Sequence, residues 1–140
     1  MSFSSEQRRR LAELADVLIP ASGGQLSASQ AGIAEEGIDR VLTARPDLAA
    51  GLQQLLSSGG TGPAADVVST WQAGDAPEFG VLAEVAAGAY FMNEQVRAAI
   101  GYDGQGPRPI DPRVDYLEDG LLKSVLSRGA IYRPTPGGNG

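Results

Sequence analysis

The sequence predicts an all-α fold: a small helical bundle of five to six helices, followed by a long irregular C-terminal tail that carries one short helix. Three observations lead there. Apolar residues recur at spacings of three and four over successive segments, the period of a helix face. No stretch alternates apolar and polar residues over the length of a strand. Gly, at 19 residues, and Pro, at 9, gather after residue 57, so the helix breakers crowd the second part of the chain. On this basis residues 1–101 are expected to form the bundle domain, and residues 102–140 an extended Gly/Pro-rich arm that packs on a partner.

Each element follows from local chemistry. Ser4 and Gln7 have capping-box spacing, and Leu11, Leu14, Ala15 and Leu18 then make one stripe. Pro20 stops that helix by forcing Ile19 out of helical geometry. Ala21 to Ser27 reads as a Gly/Ser loop. A second helix is expected from about Ser29 to Ala44 on Ile33, Ile38, Val41 and Leu42; Gly32 and Gly37 weaken it and favour a late start. Pro46 suits a first helical turn, and Leu48, Leu52, Leu55 and Leu56 carry a third helix that Gly59 and Gly60 end. The short turn at Pro46 predicts an antiparallel pair.

Pro63 to Gln72 predicts a fourth helix with Val67, Val68 and Trp71 on one face. A lone Trp at helical spacing from two Val residues belongs to a core far more often than to a ligand platform. Asp75 and Glu78 match a second capping box, with Pro77 in the first turn of a fifth helix that reaches about Phe91. Its face of Phe79, Leu82, Val85, Ala86 and Ala89, among further small residues, marks it as the central helix. Asn93 is placed to cap a short sixth helix that Gly101 terminates. Beyond it, Pro107, Pro109 and Pro112 favour extended backbone. Asp119 precedes one last helical segment with Leu121, Leu122, Val125 and Leu126 as its apolar side.

Composition narrows the function. At 140 residues the chain has about one domain's length. It contains no His and no Cys, so it lacks the commonest general base, a thiolate nucleophile and the soft metal ligands. Net charge is −6 and offers phosphate backbones no attractive field, which argues against nucleic acid as a partner. Arg8, Arg9 and Arg10 raise the question of a twin-arginine export signal, but Glu13 and Asp16 interrupt the apolar stretch that must follow. The run reads instead as the basic edge of the first helix. No window of ~18 apolar residues exists, so no direct membrane insertion is expected.

Candidate catalytic groupings are weak. Gly101, Gly104 and Gly106 follow a helix instead of a strand, and Pro107 removes an amide, which is the wrong setting for a phosphate loop. Asp111, Asp115, Glu118 and Asp119 do not have calcium-loop spacing. Glu35, Glu36 and Asp39 fit a solvated helix surface better than an acid/base pair, which needs a pocket to shift its pKa values. There is no GxSxG, and without His a Ser triad is impossible. We therefore expect no catalytic, cofactor-binding or metal residues in this chain. What stands out is a Tyr/Arg-rich C-terminal part of the kind found at interfaces. The partner surface is assigned to Tyr90, Met92, Arg97, Tyr102, Gln105, Arg108, Tyr116, Tyr132 and Arg133. Tyr90, Phe91 and Met92 point in different directions, so at least one of them leaves the core.

The segments LAELADVLIPASGG, SASQAG with IDRVL, and above all AYFMNEQVRAAIGYDGQGPRP resemble the small subunit of gluconate 2-dehydrogenase, the subunit 3 family. The tail DGLLKSVLSRGAIYRPTP is similar to the end of small subunits that accompany glucose-methanol-choline type flavoproteins. The resemblance covers most of the chain. It implies an accessory subunit that binds no cofactor and stabilises a large FAD-containing oxidoreductase subunit acting on alcohol or sugar hydroxyls, with an electron-acceptor protein as a further partner. Many relatives carry a twin-arginine signal, whereas here the first helix comes almost at once; a cytoplasmic complex is expected, with periplasmic location by co-export beside a signal-bearing partner as the alternative. The other readings of the sequence are a free-standing helical interaction or regulatory module and, last, an enzyme that works through carboxylates alone.

Overall fold

The computed structural model describes residues 2–58, 61–106, 120 and 122–129. Helix α1, Ser5–Leu18, starts on the expected reciprocal cap. Gln7 N–H donates to Ser4 Oγ at 3.2 Å, and Ser4 N–H donates to Gln7 Oε1 at 3.0 Å. Leu11, Leu14 and Ala15 are buried, and the helix leaves αR geometry at Ile19, just before Pro20.

The second helix does start late, and what precedes it differs from a plain loop. Gly32 takes φ +70°, a left-handed conformation that Gly enters without a Cβ penalty. Residues Ile33–Gly37 then form a wide turn with hydrogen bonds five residues apart, Gly37 N–H to Gly32 O at 3.1 Å and Ile38 N–H to Ile33 O. Arg8 on α1 holds this turn, its Nη1 donating to the carbonyls of Ala34 at 2.8 Å and Glu35 at 2.7 Å. Its Nη2 reaches Asp39 at 3.0 Å. A Cβ on Gly37 would lie 3.0 Å from Ala89 Cβ and 3.1 Å from Gly32 O, so the turn packs backbone against the bundle.

Helices α2, Ile38–Ala44, and α3, Leu48–Ser58, follow. The expected antiparallel pairing of these two is corrected: α3 packs chiefly on the fifth helix and α2 on the wide turn and the fifth helix, with little contact between α2 and α3. Small residues make that possible. Gly88 sits where a Cβ would come within 3.2 Å of Val41, and Gly51 where one would come within 3.0 Å of Val81. The ends at Gly59 and Gly60 lie outside the described residues.

Helix α4 spans Ala64–Ala73 and buries Val67 and Val68. Trp71 is half-buried against the same core. Helix α5, Pro77–Met92, has Pro in its first turn, as expected. The Asp75–Glu78 capping box does not form. Asp75 instead takes φ +50° and closes α4: its N–H donates to Gln72 O at 3.3 Å, and Ala76 N–H donates to Trp71 O at 2.9 Å. That is a Schellman closure with Asp in the position usually given to Gly. Committed to ending one helix, Asp75 cannot cap the next, and the extended cap residue is Ala76.

Helix α5 is the centre of the bundle and touches α1, α2, α3, α4 and the wide turn. It buries Leu82, Val85, Ala86, Ala89 and Tyr90 in one continuous core with Leu11, Leu14, Ile33, Ile38, Leu52 and Leu55. Helix α6, Glu94–Ala99, begins on Asn93, whose Oδ1 accepts from Val96 N–H at 3.1 Å, and buries Val96. Among the described residues every element of this part is helical or a turn, apart from a single bridge between Ser22 and Gln25. The chain divides by its contacts into Met1–Gly104 and Gln105–Gly140. In the second unit the described regular element is helix α7, Lys123–Arg128. Asp119 and Leu121 lie outside the described residues.

Candidate partner surface

Within residues 2–104 the interior is fully paired. No buried side-chain nitrogen or oxygen among the described residues lacks a hydrogen-bond partner. Nor do three or more acidic side chains gather there in a way that could hold a metal ion. Glu35, Glu36 and Asp39 are exposed; Glu36 pairs with Arg40 at 3.1 Å and Asp39 with Arg8. No described helix is long and apolar enough to cross a membrane. The features open to chemistry are therefore on the surface.

The residues that close α5 and form α6 build one such surface. Asn93 leaves αR geometry and ends α5, and the helical step of about 3.6 residues per turn points the last three side chains before it in different directions. Tyr90 turns inward. It is 7% exposed, and its hydroxyl donates to Leu26 O at 2.7 Å, so it braces the loop after α1. This corrects its assignment to a partner surface: its polar tip is already spent inside the bundle. Phe91 points out, 55% exposed, with its ring edge-on to Tyr90 at 5.6 Å and 82°.

At the far end of α6 a second Schellman closure sets the geometry. Gly101 takes φ +71° and donates to Ala98 O at 3.1 Å, while Tyr102 N–H donates to Arg97 O at 2.9 Å. The closure returns Tyr102 to the turn that bears Arg97. The two line a surface hollow of about 410 Å³ together with Glu94, Ala98, Gly101 and Asp103. Tyr102 and Ile100 remain exposed, and Arg97 is half-buried.

Met92 faces a different hollow, of about 370 Å³, with Val41, Ala44, Leu48 and Gly88 as apolar lining and Arg45 and Glu84 at its edge. Arg45 donates through Nε and Nη2 to both oxygens of Asp47, at 2.9 and 2.7 Å, and through Nη2 to Glu84 at 3.2 Å. These hydrogen bonds hold the Asp47 carboxyl below the usual carboxylate range and raise the Arg45 guanidinium further above its own.

The structure thus brings Arg97 and Tyr102 together, sets Met92 in a separate hollow and withdraws Tyr90. Gln105 is exposed in the second unit. Arg108, Tyr116, Tyr132 and Arg133 lie outside the described residues, as do Asp111, Asp115 and Glu118. Phe91 and Ile100 are exposed as well and were absent from the assignment. The signal for both was in the sequence: each is a large apolar residue within two positions of a helix terminator, Asn93 or Gly101, where a side chain has little bundle left to pack on. Comparison of the chain with models of known protein families, with curated proteins and with solved structures yields no match.

Proposed function

We propose that this chain is a non-catalytic small subunit that stabilises or assembles an FAD-dependent alcohol or sugar dehydrogenase or oxidase, whose large subunit holds the flavin and performs the chemistry. One observation carries the reading. Of the large apolar residues exposed in residues 2–104, all but Val17 lie between Phe91 and Tyr102. That is the segment whose sequence most resembles the family of small subunits.

Large exposed apolar side chains scattered singly are ordinary; four in the segment from Phe91 to Tyr102, which also carries Arg97, have the composition found at interfaces. Obligate interfaces commonly exceed ~2,000 Å², so this rim would be one part of the contact and the residues after it another. The absence of His and Cys fits a chain that leaves the redox chemistry to its partner.

The test is a double substitution, Phe91→Glu with Ile100→Glu. Both side chains are exposed, so the bundle should keep its melting temperature, while co-expression with the proposed large FAD-containing subunit should yield separate proteins. Full-strength assembly of the double variant would refute the reading. A chain that never takes up a flavoprotein would instead fit a free-standing interaction module.

A further inference from the structure

Helix α7 is six residues long and is entered at Leu122 without a side-chain cap. Its apolar residues, Leu122, Val125 and Leu126, fall at i, i+3 and i+4, which is one stripe. All three are exposed, at 41%, 52% and 61%. An isolated uncapped helix of this length is marginal in water, because one or two turns do not repay the cost of nucleation. A helix of this kind persists when its stripe is buried against something.

Charge says what that surface looks like. Residues 122–129 carry Lys123 and Arg128 and no acid, in a chain whose net charge is −6. A cation thus stands at each end of the stripe. We propose that α7 is a recognition helix that lies with Leu122, Val125 and Leu126 in an apolar groove of a partner protein, a groove edged by carboxylates that meet Lys123 and Arg128. This is the helix-in-groove mode, in which closely spaced apolar anchors supply affinity and flanking charges set orientation. A membrane suits the same stripe less well, since stable binding to anionic lipid calls on about four to eight basic residues or a much larger apolar face.

The inference rests on the reading of the chain as a subunit, but not on the partner's cofactor. The test uses the tagged full-length chain and the protein that elutes with it in fixed stoichiometry. Leu126→Glu is expected to weaken that complex about tenfold or more, as loss of a central anchor does. Lys123→Glu with Arg128→Glu is expected to weaken it at low salt, with the difference shrinking at about 1 M salt, where charges are screened beyond ~3 Å. The bundle should melt as before in both variants. Wild-type affinity in both sets would overturn the inference, even if the partner is yellow. A colourless partner whose binding depends on α7 would instead overturn the proposed function and leave this inference standing. Sedimentation of the full chain with phosphatidylserine vesicles, lost in the same variants, would replace the groove by a lipid surface. A chain that takes up no partner overturns both.

Discussion

Tyr90 Oη donates to the carbonyl of Leu26 at 2.7 Å, across 64 positions of sequence, and so ties the central helix to the loop after α1. One turn on, Asn93 Nδ2 donates to Ala31 O at 2.9 Å. The irregular backbone between α1 and α2 is thus held from α5 by two side chains and from α1 by Arg8.

Removing the first of these ties should have a measurable cost. Tyr90→Phe keeps the ring and leaves the Leu26 carbonyl without its protein donor, and is expected to lose about 1 kcal/mol in urea unfolding. Asn93→Ala removes the Ala31 bond and the α6 cap together and should lose about 2 kcal/mol. Hydrogen exchange should speed up at residues 26–33 in both variants before it changes in α3.

Asp75 offers a gain. It holds φ +50° as the closing residue of α4, a conformation that costs a side-chain-bearing residue roughly 1 kcal/mol. Asp75→Gly should raise stability by about 0.5–1 kcal/mol, and Asp75→Val should lower it by more, because a β-branched residue tolerates this region worst. Equal melting temperatures for the two variants would contradict the assigned closure.

Two glycines should respond in opposite directions to the same change. Gly80 lies within α5 with nothing within 4 Å of where a Cβ would stand, so Gly80→Ala should stabilise by about 0.5–1 kcal/mol. Gly37 meets Ala89 Cβ and the Gly32 carbonyl, neither of which can swing aside. Gly37→Ala should destabilise by about 1–3 kcal/mol. Thermal unfolding of the pair decides it.

The Arg45–Asp47 pair sets a pH dependence. The folded-state pKa of Asp47 is depressed, chiefly by the hydrogen bond from Arg45. Its contribution to stability is therefore present above the ordinary Asp pKa of about 3.9 and is lost as pH falls through the lower folded value. A carboxyl NMR titration should place Asp47 below the ordinary range in the wild type and bring it back up in Arg45→Gln. Any stability difference between the two proteins should narrow at about pH 3.

Much of the fold was legible because the deciding chemistry was local. The Ser4–Gln7 cap, Pro20, Asn93 and Gly101 each act within four residues, and each acts in the fold as its side chain suggests. The central place of α5 was legible too, since Ala86, Gly88 and Ala89 give neighbouring elements room to approach closely. What stayed hidden depends on distant partners. The turn at Ile33–Gly37 needs Arg8 to satisfy its carbonyls, and nothing near residue 35 announces that. Asp75 looked like a cap because its use in closing α4 is a matter of backbone angle, not of side-chain spacing. Tyr90 looked like interface because aromatic residues suit both settings, and only the Leu26 carbonyl decides between them. Arg97 and Tyr102 stand together because the Gly101 closure returns one to the turn that bears the other.

The most direct test is light scattering, with flavin absorbance read on the same peak, on this chain co-expressed with the proposed large flavoprotein subunit. A single species holding both polypeptides in fixed ratio and absorbing as flavin is the expected result. Elution of the chain at its own 14.5 kDa, apart from the yellow protein at micromolar concentration, would contradict the proposal that it is a subunit.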